Sequence, residues 1–236
     1  MILVIFGSKS DKAVYDRVVA KLEELGVAFT LRIASAHKSP ELVEEIIKEK
    51  FDCIIAGAGL AAHLPGVIAA KVTCPVIGVP CKGAFEGLDA LLSIVQMPPG
   101  IPVLSVGIEE AEEAARNAKL VLDSYSTVNI VQGDGMEKAQ ATLEKLGVPY
   151  KVTADFDSDC ININFSEPKQ SEALVINVPQ KDDAHEFIKF KHGLYVGKGR
   201  GDNAAVAAAE IMKINLDNYR KELEKKIIDA DEEERK

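Results

Sequence analysis

The residues best suited to chemistry lie in Ser35-Ala36-His37-Lys38-Ser39-Pro40, where an imidazole, a cation and two hydroxyls occupy a few adjacent positions. An imidazole can both give and take a proton, and a lysine beside it suits an anionic substrate. The same residues also occur in ordinary surface loops. Two other stretches have this polar, small-residue character. Gly7-Ser8-Lys9-Ser10-Asp11 offers hydroxyls for a phosphate and a carboxylate for sugar hydroxyls, but these residues equally cap a helix. It matches neither GxxxxGK[ST] nor GxGxxG. In Gly57-Ala58-Gly59-Leu60-Ala61-Ala62-His63-Leu64-Pro65-Gly66, His63 follows a run of small residues and is either functional or simply packed.

Each loop must be held by the elements around it. Apolar runs predict strands over Ile2–Phe6, Phe29–Ser35, Asp52–Ala58, Pro75–Pro80 and Val103–Ile108. They are apolar on both faces, as in a parallel sheet covered by helices on each side. Val14, Val18, Leu22 and Leu25 form one stripe of a first helix, with Gly26 as its C-terminal cap. Ser39 as N-cap and Pro40 in the first turn start a second helix. This alternation, continuing to about Ser126, predicts a doubly wound three-layer α/β fold with right-handed crossovers. Ligands bind such sheets outside the carboxyl ends of the strands, and all three polar loops fall at that edge.

The remaining loops are less specific. Gly83–Asp89 follows the fourth strand. Gln96–Pro102 reads as a rigid turn, suited to a pocket wall or to an ordinary connection. Gly197–Asp202 is a basic, glycine-rich loop that could bind an anion or simply be mobile. His185 and His192 lack the spaced carboxylate or cysteine partners of a metal site.

With 236 residues, 47% of them hydrophobic, the chain can bury a sizeable core. A net charge of -9 and a pI near 5.1 argue against nucleic acid or an anionic membrane as the main partner. Cys53, Cys74, Cys81 and Cys160 show no CxxC spacing, which suggests reduced thiols in a cytoplasmic protein. Met1–Phe6 reads as a first strand, not a leader, and no apolar run is long enough to span a membrane.

From Thr127 the chain resembles an eroded copy of its first half. Val128–Gly133 echoes Ile2–Gly7, Leu143–Val148 echoes Leu22–Val27, Leu174–Pro179 echoes Pro75–Pro80, and Gly193–Val196 echoes Gly100–Val103. Val27 to Pro80 is 53 positions (80 minus 27), whereas Val148 to Pro179 is 31 (179 minus 148). The expectation is that about one strand and one helix are missing, including the part that carries His37 and His63. The reading divides the chain into residues 1–126, 127–214 and a helical arm over 215–236. Leu216, Tyr219, Leu223, Ile227 and Ile228 share one face of that arm, and Asp229–Glu234 is a solvated end.

Together GSKSD, SAHKSP, AGAGLAAHLPG, PVIGVP and LSIVQMP closely resemble the PurE family of purine biosynthesis over about residues 1–124. The resemblance implies a three-layer αβα flavodoxin-like parallel sheet, present here as one complete and one degenerate copy. It implies conversion of N5-carboxyaminoimidazole ribonucleotide to 4-carboxy-5-aminoimidazole ribonucleotide, with no cofactor and no metal. The alternatives are direct carboxylation of aminoimidazole ribonucleotide with carbon dioxide, or a catalytically silent scaffold or nucleotide-sensing protein. Carried over by motif, His37 is the acid/base. Ser8, Asp11 and Lys38 hold the ribose phosphate end, and Ser35, Gly57, Ala58, Gly59 and His63 line the pocket for imidazole and carbon dioxide. Two positions depart from the common mutase pattern: Lys38 stands for arginine and Leu60 for glycine. The implied partners are a small ribonucleotide and carbon dioxide, without nucleic acid or membrane. The family's octamers of single-domain subunits imply a homo-oligomer here, four two-copy chains packed like eight domains.

Overall fold

The computed structural model describes residues 1–83, 85–181 and 190–235; His185 lies outside them. The first half contains β1 (Ile2–Phe6), β2 (Phe29–Ile33), β3 (Cys53–Ala58), β4 (Val76–Pro80) and β5 (Leu104–Ser105). Between and after them run α1 (Lys12–Glu24), α2 (Pro40–Ile46), α3 (His63–Ala69), α4 (Leu88–Val95) and α5 (Ala111–Val121). The strands are parallel in the order β2-β1-β3-β4-β5. All of β1 is buried: Ile2, Val4 and Phe6 face one layer of side chains and Leu3 and Ile5 the other. The two-sided apolar runs of β1, β3, β4 and β5 therefore mark strands covered on both faces, whereas β2, at the sheet edge, is half-buried with Leu31 exposed.

The second half contains β6 (Val128–Val131), α6 (Glu137–Leu146), β7 (Tyr150–Thr153), β8 (Ile161–Asn164), β9 (Val175–Asn177), β10 (Leu194–Tyr195) and α7 (Gly201–Ile211). Its strands are again parallel among themselves, in the order β7-β6-β8-β9-β10. An antiparallel pairing of Tyr195 with Ser105 joins β10 to β5, so the halves form one ten-stranded sheet. α6 packs on α7 as α1 packs on α5, and one apolar cluster runs through both halves on this side.

The expected loss of a strand is therefore corrected. Five strands are present in each half, and the two halves differ in their helices instead. Residues 154–160 and 165–174 are loops where the first half has α2 and α3. A helix satisfies most of its own backbone polar groups, but a loop laid on a sheet needs partners for them. Asn129, Asn162, Asn164 and Asn177 supply these partners from the sheet face beneath, all four buried. Asn129 Nδ2 donates to the Asp155 carbonyl at 2.9 Å and to Asn162 Oδ1 at 2.8 Å. Asn162 in turn donates to the Asp157 carbonyl and accepts from the Asp157 N–H, both at 2.8 Å. Asn164 accepts from the N–H and hydroxyl of Ser166 and donates to Asn177 Oδ1 at 2.8 Å. By register these asparagines stand where β1, β3 and β4 have Leu3, Ile54, Ala56 and Gly78.

The Gln96–Pro102 loop turns out to be a connection that docks the halves. The Gly100 N–H donates to Asn203 Oδ1 at 2.7 Å, and Asn203 Nδ2 donates to the Pro98 carbonyl at 3.0 Å. The basic Gly197–Asp202 loop is tied down, with Arg200 on Asp202 at 2.7 Å and the Gly199 N–H on the Pro179 carbonyl at 2.8 Å. The last helix, α8 (Asp217–Glu234), begins by packing on its own chain. Arg220 reaches Glu210 at 2.8 Å and the Ala69 carbonyl at 3.3 Å. Burial pushes the Glu210 carboxyl up to about 8 against the pull of Arg220. Farther along α8, Ile227 and Ile228 are exposed. No helix among the described residues is long and apolar enough to cross a membrane.

Replacing Asn164 by leucine keeps the volume but leaves Asn177 Oδ1 and the Ser166 N–H and hydroxyl without their partner. The expected cost is about 2–4 kcal/mol, read as a lower urea midpoint with an unchanged m-value. An unshifted midpoint would show that the asparagine ladder does not hold the loops.

Candidate active site

In the order β2-β1-β3 the chain reverses direction across the sheet between β1 and β3, and the crevice above that point is where such folds take ligands. A cavity of about 510 Å³ opens there, enclosed by the loops after β1, β2, β3 and β4. The first loop contributes Ser8, Ser10 and Asp11, the second Ser35, His37 and Lys38, and the third Ala58, Gly59 and His63. Eight of the nine residues expected at the site thus share one cavity.

Gly57 is the exception. It lies within β3, below the cavity lining, and a Cβ there would stand 2.0 Å from the Phe6 ring. Its carbonyl accepts the Gly7 N–H at 3.0 Å. Gly57 therefore serves close packing under the first loop.

Local hydrogen bonds set the loop shapes. Ser8 Oγ accepts from the Ser10 N–H at 3.1 Å and the Ser10 hydroxyl at 2.8 Å, capping the short turn Lys9–Asp11 before α1. Ser39 occupies the N-cap position of α2 as expected, but its hydroxyl makes no capping bond to the helix. Its hydroxyl accepts from the Ser35 N–H at 3.0 Å and donates to the Ser35 carbonyl at 3.3 Å, closing the loop on itself. The Ser35 hydroxyl accepts from the Lys38 N–H at 3.3 Å. His37 is thereby presented from a closed turn.

At the centre His37 Nε2 lies 2.8 Å from His63 Nδ1, with the rings edge to face. A neutral imidazole carries one N–H and one acceptor nitrogen. If one ring donates across this contact, the two outer nitrogens must be one donor and one acceptor, whichever way the shared proton points. The pair can therefore offer a proton at one end and receive one at the other.

Asp11 is the carboxylate lining the cavity among the described residues, and partial burial raises its pKa although Ser10 pulls it down. Leu60 holds a left-handed backbone, φ 53°, and is largely exposed at the rim. Lys82 and Gly83 also line the cavity. The sequence reading missed Lys82 because it ends an apolar strand run and precedes the loop that drew attention.

A larger cavity of about 780 Å³ lies at the carboxyl edge of the second half, lined by Gly133, Asp134, Ser166 and His192 among others. Among the described residues His192 is the imidazole in its lining, which reaches residues 181 and 190, where the described chain is interrupted. No group of three or more His, Cys, Asp or Glu side chains close enough to hold a metal occurs among the described residues.

A parallel α/β half whose switch-point cavity combines two imidazoles, hydroxyls and lysines has the layout of a domain that handles a small anionic ligand. The chain belongs to the AIR carboxylase family, which matches residues 1–130. The N5-carboxyaminoimidazole ribonucleotide mutase of Methanocaldococcus jannaschii is 60% identical over 116 residues, covering 49% of this chain and 74% of that protein. The mutase of Pyrococcus abyssi is 50% identical over 124 residues, 50% of this chain and 71% of its own. The phosphoribosylaminoimidazole carboxylase of Candida albicans is 47% identical over 129 residues, 52% of this chain and 23% of its own.

Because its folded pKa is raised, ionised Asp11 destabilises the folded state. That cost is absent below the ordinary value of 3.8 and complete above the folded value. Asp11→Asn is therefore expected to raise the urea midpoint at pH 7 and to lose that advantage below pH 3.8. The reverse pattern, with the variant weaker at pH 7, would mean that the carboxylate stabilises the loop.

Proposed function

We propose that this chain acts in purine biosynthesis as an enzyme converting N5-carboxyaminoimidazole ribonucleotide to 4-carboxy-5-aminoimidazole ribonucleotide. The observation that carries this reading is the 2.8 Å contact between His37 and His63 inside a cavity that also holds Ser8, Asp11 and Lys38. The mutases of related sequence support the same reaction.

The reaction moves a carboxyl group from nitrogen to carbon. The exocyclic N–C bond breaks, the nitrogen gains a proton and carbon dioxide is released into the pocket. The ring carbon then attacks carbon dioxide, forming a C–C bond, and loses its proton. One proton is given and one taken, so the imidazole pair ends as it began. In this reading His37 exchanges protons with substrate and His63 relays them. Ser8 and Lys38 hold the phosphate and Asp11 the sugar hydroxyls at the ribose phosphate end, while Ser35, Ala58 and Gly59 wall a small space that keeps carbon dioxide near the ring. The second reading is direct carboxylation of aminoimidazole ribonucleotide, favoured by the carboxylase name of the Candida albicans relative and by Lys38. Four free cysteines fit a cytoplasmic setting.

We further propose that residues 127–214 are a degenerate copy of 1–126, with 215–236 an added arm, and that four such chains pack like eight single domains. The repeated strand order and the exposed Ile227 and Ile228 support this reading. Multi-angle light scattering is expected to give four chains per particle, and a monomer or an eight-chain particle would overturn it.

His37→Asn is expected to lower turnover by about 10²–10⁴-fold with little change in thermal stability. The assay uses both the N5-carboxylated nucleotide and aminoimidazole ribonucleotide with bicarbonate. Turnover of the second substrate alone by the unaltered protein would select the carboxylase reading, and near-normal activity of His37→Asn would remove its acid/base role.

A further inference from the structure

We infer that Lys82 binds the carboxylate end of the nucleotide, opposite the phosphate end at Lys38. The inference rests on the reading of this cavity as a carboxylated-ribonucleotide site.

Lys38 and Lys82 line the same cavity from the loops after β2 and β4. In the order β2-β1-β3-β4 these strands are three spacings apart, roughly 14 Å at about 4.8 Å each. The loops carrying His37 and His63 contribute the imidazole pair to the same space. Neither lysine forms an ion pair among the described residues, although the chain carries 37 acidic side chains against 28 basic ones. Asp11 is the only carboxylate in the lining among the described residues. The cavity is therefore locally cationic within an acidic protein, with its two positive charges on separated loops. A lone phosphate would match one of them. A nucleotide with a phosphate on its ribose and a carboxylate across the base matches both.

The main chain at Lys82 is held in place. The Cys81 N–H donates to the Ala58 carbonyl at 3.0 Å, extending the β3–β4 pairing toward the cavity. A Cβ on Gly59 would stand 3.5 Å from the Cys81 carbonyl oxygen, and one on Gly87, φ +87°, would stand 3.3 Å from Lys82 Cα. The left-handed Gly87, where a Cβ would also meet the Ile108 side chain at 2.8 Å, thus lets the chain close beside Lys82, and Gly59 lies in ordinary contact on the other side. The Lys82 side chain remains exposed and can reach a ligand.

Isothermal titration with 4-carboxy-5-aminoimidazole ribonucleotide and with aminoimidazole ribonucleotide separates the two anionic ends. Lys82→Met is expected to weaken the carboxylated nucleotide about tenfold or more, the size of a charge-assisted hydrogen bond, and the uncarboxylated one less than about twofold. Lys82→Arg should retain most of the affinity, and Lys38→Met should weaken both nucleotides alike. Equal loss for both nucleotides in Lys82→Met, or loss for neither, overturns the inference while wild-type binding stands. Failure of the wild type to bind either nucleotide overturns the reading of the cavity, and this inference with it.

Discussion

The antiparallel meeting of β5 and β10 organises the molecule. It joins two parallel five-stranded sheets edge to edge, so one apolar layer runs from Ile2 and Val4 through Leu104 to Val128 and Ile163. Edge strands are exposed templates for pairing, and here each half covers the other's. The join also points the strands of the two halves in opposite directions. Their carboxyl ends, and the cavities above them, therefore lie on opposite edges of the sheet. Among the described residues, none of the second half lines the cavity that holds the histidine pair.

On the other side of the sheet the two halves are covered differently. The first half covers this side with α2, α3 and α4 over Leu3, Ile54 and Ala56. Where the second half has loops over 154–160 and 165–174, apolar side chains beneath would strand the loop N–H and carbonyl groups in a dry interior. Asparagine offers donor and acceptor on one short side chain, and each of the four is used. Stability on that face moves from apolar burial to a satisfied polar network, whose members depend on one another more than packed methyl groups do.

The sequence made the first half legible because its strands are apolar on both faces and its polar loops all follow strands. It concealed β8, since Ile161-Asn162-Ile163-Asn164 alternates like a strand with one wet face, although both faces are dry. Chain length alone could not tell whether the shorter second half lacks a strand or has loops in place of helices. At the site, His37 and His63 could be singled out by type, but their distance could not, because it depends on loops 26 residues apart. Gly57 drew attention for its position in a glycine-rich run, while its work is to admit the Phe6 ring. Lys82 escaped notice because nothing in its neighbours marks it as facing a cavity.

The histidine contact narrows the chemistry more than either residue does alone. A solitary acid/base must give its proton, wait and recover one at nearly the same place. In the proposed reaction, a second imidazole in contact can supply or take up the proton that His37 exchanges, as the shared proton shifts between the two rings. A carboxyl migration from nitrogen to a nearby ring carbon needs a proton delivered and another removed at two separate atoms of one substrate. Closed turns around Ser35 and Ser39, and the start of α3 at His63, hold the two facing ring nitrogens at 2.8 Å. Positioning of this kind is fixed before substrate arrives, so little ordering remains to be done during the reaction.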